Sequence, residues 1–346
     1  MVPRDLRGRM ILILIVMTPG IPEFMTASSR LDVLLVNIPE FIVGLVLNIA
    51  IYSTGALMIR DFSIRFEKGW ASIIALGLAF GIMGEGISVH TFFLVSGNPV
   101  GALGSYGRFI GMDWIWALVI STFHSIFSIS LPLLLLSVAY PRYSHEQILG
   151  RRGFIVALAA FLMDIVATNL FLSRSLNRPF PTLGQYELLL LLVLILILAA
   201  YLIPGSWLRG SRVLKSGTDK LFFLGLLVFP LYVLNTDLPD IHQFAQSVPP
   251  VVEAIFYIIE NAMVMVAINR SMPANNNRRH KFALALGLIT PLFVWAEFMQ
   301  ISDVSELITV VSVIAAILML KLRRWVRDGT NLMERQIPSA SATGSE

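Results

Sequence analysis

The sequence has no cysteine and few charged residues. None of the 346 residues is cysteine, and aspartate, glutamate, lysine and arginine together make up 14% of the chain. The lack of cysteine excludes disulfide bonds, thiolate nucleophiles, iron–sulfur clusters and zinc sites with thiolate ligands. Soluble proteins carry about 25% charged residues, so this chain has too few to cover a water-facing surface. With 56% apolar residues, the sequence predicts an all-α, polytopic transmembrane helix bundle.

About ten segments are apolar and long enough to predict membrane spans, since a crossing needs about 20 mostly apolar residues. Two are weaker, because the first contains Pro19 and Pro22 and the seventh is short and contains Pro230. We expect one transmembrane domain over residues 1–322 and a basic, then disordered, cytoplasmic tail over residues 323–346. The predicted spans are Met10–Met25, Phe41–Ile59, Ala71–Val95, Trp114–Val138, Phe154–Leu172, Tyr186–Ile203, Lys220–Leu234, Val251–Asn269, Phe282–Gln300 and Val304–Leu320.

The basic residues alternate between successive loops. Counted from the N-terminus, with Lys220 at the start of the seventh span assigned to the loop before it, every second segment is richer in lysine and arginine, and these segments hold 22 of the 26 basic residues. Because such residues concentrate in cytoplasmic loops, the pattern predicts an even number of spans with both termini in the cytoplasm. It also explains the net charge of +4 without nucleic acid as a partner. We expect a multi-pass protein of the plasma membrane whose main partner is the lipid bilayer.

The first segment has a second interpretation. Arg4, Arg7 and Arg9 precede a short apolar run, which resembles a secretory signal peptide with a cleavage site near Ala27. If residues 10–25 were such a signal, nine spans would remain and their orientation would be unchanged. Both interpretations stay open at this stage.

Acidic residues and histidine occur in the interior of the predicted spans, whereas lysine and arginine do not. By residue count at about 1.5 Å per residue, Glu85, His124, Asp164 and Glu260 lie near the bilayer midplane. An ionised acid there costs about 2.5 to 3.5 kcal/mol, so it needs a partner, a bound cation or water. The four residues therefore predict a proton or cation pathway. Neutral acids that merely join helices by hydrogen bonds are the alternative.

The third span carries a stripe of small residues. Gly77, Gly81, Gly84 and Ser88 follow one another at spacings of four, three and four. Small residues at this spacing let helix backbones approach closely, so the stripe predicts a central helix.

The loop after the third span contains five glycines in the 17 residues from Ser96 to Met112. Such a loop suits a re-entrant segment or a lid as well as a plain connection. Arg108 lies in this loop, and we consider it as a recognition residue for an anionic group.

The stretch from Arg60 to Pro141 resembles a family of prokaryotic polytopic membrane proteins to which no activity is assigned. The resemblance lies in Gly81-Ile-Met-Gly-Glu-Gly, in Tyr106-Gly-Arg, and in Phe123-His124 ahead of an apolar run with Pro132. It implies a membrane-embedded helical fold and no particular chemistry.

A glutamate in one span and a histidine in the next also resemble the intramembrane metalloproteases that process CAAX proteins and bacteriocins. Those enzymes carry a Glu-Glu pair followed by Arg, and later His-x-x-x-Asn or His-x-x-x-Asp. Here Gly84 replaces the first Glu, Val89 takes the place of Arg, and Ser128 follows His124.

Three functions follow from these patterns. The first is secondary transport of a small solute, proton or cation without a resident cofactor, in which Glu85 and Asp164 bind the coupling ion and His124 relays it. The second is an intramembrane hydrolase whose divalent metal is held by Glu85, His124 and Asp164. The third is a non-catalytic membrane scaffold.

Overall fold

The computed structural model describes residues 2–26, 28, 37–95, 100–175, 180–208, 217–241, 248–273, 277–301 and 307–335. Over these residues the chain is a helical bundle with one short antiparallel hairpin, and a helix coincides with each predicted span. The elements are α1 (Arg4–Pro19, continued by a π-helical turn, Gly20–Phe24), α2 (Ile38–Arg65), α3 (Trp70–Gly81, continued by a π-helical turn, Ile82–Ser88), β1 (Arg108–Phe109), β2 (Met112–Asp113), α4 (Trp114–Phe123, continued by a π-helical turn, His124–Ser130), α5 (Leu131–Ala139), α6 (Arg151–Ser175), α7 (Leu183–Leu202), α8 (Thr218–Ile241), α9 (Pro250–Ser271), α10 (Arg278–Ile301) and α11 (Leu307–Arg335).

Seven stretches of these helices, judged on the described residues, are long and apolar enough to cross a membrane. Large apolar side chains also remain exposed along whole helix faces, for example Val156 and Met163 on α6 and Phe256 on α9. A soluble monomer does not leave such faces in water. The structure therefore agrees with a multi-pass membrane protein, while the count of ten crossings stays a prediction. The seven stretches are Phe41–Arg65, Trp70–Ser88, Trp114–Ala139, Arg151–Phe171, Leu183–Leu202, Thr218–Thr236 and Pro250–Ser271.

The helices run up and down between two ends of the bundle. At one end Arg60, near the end of α2, donates hydrogen bonds to the carbonyl oxygens of Tyr143 and Glu146 in the α5–α6 loop. At the other end Arg108 reaches the carbonyl oxygen of Leu94 after α3. We call the first the terminal end, because α1 begins and α11 ends there, and the second the distal end.

The helix α3 lies at the centre of the bundle, as its small-residue stripe predicts. A methyl group on Gly77 would lie 2.7 Å from Ser125 Cα, and one on Gly81 would lie 2.6 Å from Ser121 Cα. Real Cβ atoms do not approach so closely, so glycine at these two positions allows α3 to pack backbone-to-backbone on the rod formed by α4 and α5.

Several predicted spans have different ends in the structure; the tenth, for example, belongs to α11, which ends at Arg335 and not at Leu320. The third ends at Ser88 and not at Val95, because His90 adopts a left-handed conformation (φ 64°) and starts a 3₁₀ turn, Thr91–Phe93. The seventh is longer than predicted and forms the 24-residue α8. Its proline does not stop the helix, which is tolerated when the freed carbonyl finds another donor.

The first segment is part of the bundle core. Met10 and Leu14 are buried, and Thr18 Oγ1 lies 3.3 Å from Ser53 Oγ on α2. The predicted cleavage position Ala27 lies outside the described residues, as does the part of the predicted disordered tail over residues 336–346.

A buried ion pair fixes the terminal end. Asp61 accepts hydrogen bonds from the backbone N–H groups of Ile148 (3.0 Å) and Leu149 (2.6 Å) and from Arg60 Nη1 at 3.1 Å. Both side chains of the pair are buried. The pair therefore ties α2 to the start of α6, on which the candidate site depends.

We expect Asp61→Ala to lower the free energy of unfolding by about 3 kcal/mol, because it leaves Arg60 and two amides buried without their acceptor. Thermal unfolding in detergent measures the change. Arg327→Ala is the control, since Arg327 and Asp328 pair at 3.5 Å with side chains that are 71% and 62% exposed. The control should show no measurable change, because exposed pairs contribute little. Equal losses in both variants would contradict the role assigned to Asp61.

Candidate functional site

A cavity of about 640 Å³ lies inside the bundle towards the distal end. It is bounded by α1, α2, α3, the α4–α5 rod, α6, α8 and α10. Three of the four predicted site residues, Glu85, His124 and Asp164, line this cavity. The fourth, Glu260, lies on α9 and does not line it; its Oε2 accepts a hydrogen bond from Asn235 Nδ2 on α8 at 3.1 Å.

Glu85 and His124 form a buried pair between α3 and α4. Glu85 Oε1 lies 3.0 Å from His124 Nε2, and the two side chains are 15% and 6% exposed. On the other side of the ring, His124 Nδ1 lies 2.8 Å from Ser128 Oγ. An imidazolium can donate through both nitrogens, to Glu85 and to Ser128 at once. The pair can therefore hold a proton without exposing a charge to the bilayer.

A chain of hydrogen bonds extends from Glu85 towards the distal end. Thr91 Oγ1 donates to Glu85 Oε2 at 2.5 Å, and Trp116 Nε1 donates to Thr91 Oγ1 at 3.0 Å. The backbone N–H of Trp116 donates in turn to Asp113 Oδ1, the cap of α4, at 2.8 Å. Burial raises the pKa of the Asp113 carboxyl to about 7, against the opposing effect of this hydrogen bond. The left-handed turn at His90 brings Thr91 back onto Glu85.

Asp164 differs from these acids because it has no hydrogen-bond partner within the described part of the chain. Its side chain lines the cavity at 5% exposure, and neither carboxylate oxygen contacts a donor among the described residues. Ser88 Oγ and Thr168 Oγ1, which also belong to the cavity wall, are likewise without a partner there. Buried polar groups are nearly always paired, so three groups without a protein partner on one cavity make this wall a candidate binding site for a ligand or ordered water.

A third acid of the cavity was missed by residue counting. Glu23 lies at the end of the first helix, where Tyr52 Oη donates a hydrogen bond to its Oε1. The Tyr52 ring also packs against His124, with ring centroids 5.8 Å apart. A sequence signal existed in Pro19, Gly20 and Pro22, which disturb the helix just before and at this acid.

Three of the four acidic or histidine residues of the cavity lie on π-helical turns. Glu23 and Glu85 lie within such turns, and His124 begins one. Backbone N–H groups there bond five residues back, as Val89 does to Gly84 at 2.8 Å. Single π turns are frequent at functional sites, and the extra residue turns a side chain away from the regular helix face.

Acidic side chains outnumber basic ones on the cavity wall. Its described residues include three carboxyl groups and one imidazole but no lysine or arginine. Aromatic rings make up much of the remaining wall. These are Tyr52, Phe80, Trp116, Phe123, Phe171, Phe229, Tyr232 and Trp295. The cavity therefore presents carboxyl groups and the faces of aromatic rings to a bound ligand.

Arg108 is engaged by the backbone of its own loop. Its guanidinium donates to the carbonyl oxygens of Leu94 (2.8 Å), Gly104 (2.9 Å) and Gly111 (2.6 Å). These bonds hold the loop over the distal ends of α3 and α4. Recognition of an anion by Arg108 stays a prediction.

The described residues contain no group of three histidine, aspartate or glutamate side chains close enough to hold one metal ion. In particular, Glu85 and His124 meet each other but are not joined by Asp164 in such a group. The metal-dependent hydrolase of the sequence analysis therefore stays a prediction without geometric support.

Comparison with family models, curated proteins and solved structures found no significant match to the chain. The two resemblances seen in the sequence are therefore untested, and the site must be interpreted from its own geometry.

We expect Asp164→Leu to raise the free energy of unfolding by about 1 kcal/mol, because it removes a buried acid that no described group satisfies. Glu85→Leu should lower it by about 1 to 3 kcal/mol, because His124 and Thr91 lose their common partner. Thermal unfolding of both variants in one detergent measures the difference. A loss of stability in Asp164→Leu equal to that in Glu85→Leu would mean that Asp164 serves the scaffold by joining helices.

Proposed function

We propose that the protein is a secondary transporter that exchanges a small organic cation for protons across the membrane. In this proposal the ten predicted spans cross the bilayer with both termini in the cytoplasm, so the cavity, which lies towards the distal end, opens towards the outer side. Asp164 binds either the cation or a proton, and the Glu85–His124 pair relays the proton.

The unpaired carboxyl of Asp164 carries this proposal. A carboxylate held in low-dielectric surroundings without a cationic neighbour is costly, and the cost falls when a proton or a cation binds. Asp164 is 5% exposed, and no lysine or arginine lines its cavity among the described residues. Because the proton and the organic cation would neutralise the same carboxylate, Asp164 binds only one of them at a time. Competition of this kind couples the two movements as an exchange.

The size and walls of the cavity favour an organic cation over a bare metal ion. Small-molecule sites have volumes of about 300 to 1,000 Å³, and this cavity has about 640 Å³. A cation over the face of a tryptophan or tyrosine gains about 0.5 to 2 kcal/mol, and Trp116, Tyr232 and Trp295 line the cavity. An ammonium group with an apolar body satisfies both the carboxylate and the rings.

The Glu85–His124 pair provides a second binding site for the proton. With Nε2 on Glu85 and Nδ1 on Ser128, the imidazole joins two hydrogen-bonding groups on opposite sides of the ring. Because Glu85 and Asp164 line the same cavity, water in that cavity can connect them.

A tilted pair of aromatic rings separates the cavity from the terminal end. The rings of Phe123 and Tyr232 have centroids 4.9 Å apart, and both residues also line a second, apolar cleft on the other side. A transporter needs one barrier that opens while another closes. We assign the barrier on the terminal side to Phe123 and Tyr232.

Proteoliposomes with an internal pH dye test the exchange. An inward gradient of benzyltrimethylammonium should release protons from the vesicles loaded with wild-type protein. Asp164→Asn should slow this flux by about tenfold or more, because the amide neither carries the exchanged proton nor attracts the quaternary cation by charge, and a loss of about 1.4 kcal/mol is tenfold. Glu260→Gln is the matched control, being an acid in a neighbouring helix outside the cavity, and it should transport like the wild type.

The outcomes separate the alternatives. Proton flux that is unaltered in Asp164→Asn would reject the exchange mechanism. Flux that responds to methylammonium but not to the larger cation would keep Asp164 as the coupling acid and reject the proposed substrate size.

A further inference from the structure

A second cleft lies on the terminal side of the Phe123–Tyr232 pair. It has a volume of about 140 Å³ and lies between α9 and the faces of α3, the α4–α5 rod, α8 and α10. Its wall is almost wholly apolar. A dry apolar cavity of about this size accepts a hydrocarbon as large as benzene. A short stretch of an acyl chain has a similar size.

One face of α9 forms the outer wall of this cleft. Tyr257, Asn261, Val264 and Ile268 recur every three or four residues and all line it. Residues at this spacing share one face of a helix. The opposite face carries exposed apolar side chains such as Ile259, which is 50% exposed. The helix α9 therefore separates the cleft from the surrounding bilayer.

Lys281 gives the cleft a single positive charge at its terminal end. It lies in the first turn of α10 and is 7% exposed. Trp70, the first residue of α3, and Met272, which follows α9, line the same end. No described residue forms a hydrogen bond or ion pair with the Lys281 ammonium group, and no aspartate or glutamate belongs to the described wall. A buried ammonium group without a counter-charge is costly and favours an anionic ligand.

We propose that this cleft binds an anionic phospholipid, with the phosphate on Lys281 and part of one acyl chain along the inner face of α9. The charge of the site and its apolar wall match the two halves of such a lipid. Pockets of this kind between helices on the cytoplasmic side bind acidic headgroups, and the charge pattern places the terminal end on that side. This inference does not depend on the transport proposal.

Native mass spectrometry of the detergent-purified, full-length protein tests the site. We expect phosphatidylglycerol to bind about tenfold more tightly than phosphatidylcholine with identical chains, because only the first carries a net charge. Lys281→Gln should remove most of this preference, while Lys281→Arg should keep it. Lys321→Gln is the control, since Lys321 is an exposed lysine of α11.

Three results would overturn the proposal. The wild type could show no preference between the two lipids, or Lys281→Gln could retain the preference in full. Glycerol phosphate could also displace the lipid completely, which would identify a soluble phosphate as the ligand. If Lys281→Gln does not fold, Val264→Phe decides instead, because it fills the cleft from α9 and should abolish the lipid preference with Lys281 intact.

Discussion

The arrangement of the bundle depends on how it neutralises charge away from water. An isolated carboxylate in a membrane interior is costly, and each buried acid of this protein meets that cost differently. Asp61 has an arginine and two backbone amides, and Glu85 has a histidine and a threonine. Asp164 has none of these. Among the described residues of the cavity wall, Asp164 is the acid whose two carboxylate oxygens both lack a partner. Our proposal assigns the positive ligand to this acid.

Local helix geometry positions Glu85 and His124 in the wall of this cavity. The close packing of α3 on the α4–α5 rod, made possible by Gly77 and Gly81, fixes the two helices that carry Glu85 and His124. The π-helical turns then rotate both side chains towards each other across the interface. The close packing holds the two helices rigidly together. The π-helical turns point the Glu85 and His124 side chains in directions that a regular α-helix would not allow.

Much of this could be predicted from the sequence, and the reasons for the remainder are physical. Hydropathy located the helices, and the rarity of buried charge selected Glu85, His124 and Asp164. Residue counting measures depth only, so it could not show that Glu260 faces Asn235 and not the cavity. It also passed over Glu23 and the Arg60–Asp61 pair. These residues lie near predicted span ends, where a charged side chain normally costs little free energy because it reaches water. Their burial comes from neighbouring loops and helices that a single span does not reveal.

The absence of cysteine allows the central claim, a cation-selective cavity at Asp164, to be measured directly. Thr168→Cys places a single thiol on the cavity wall, and Leu170→Cys places one on an exposed position of the same helix. We predict that a trimethylammonium methanethiosulfonate modifies Thr168→Cys faster than its sulfonate counterpart does, that Asp164→Asn reduces this preference, and that Leu170→Cys shows none. Equal rates for the two reagents at Thr168→Cys, with or without Asp164, would contradict the account.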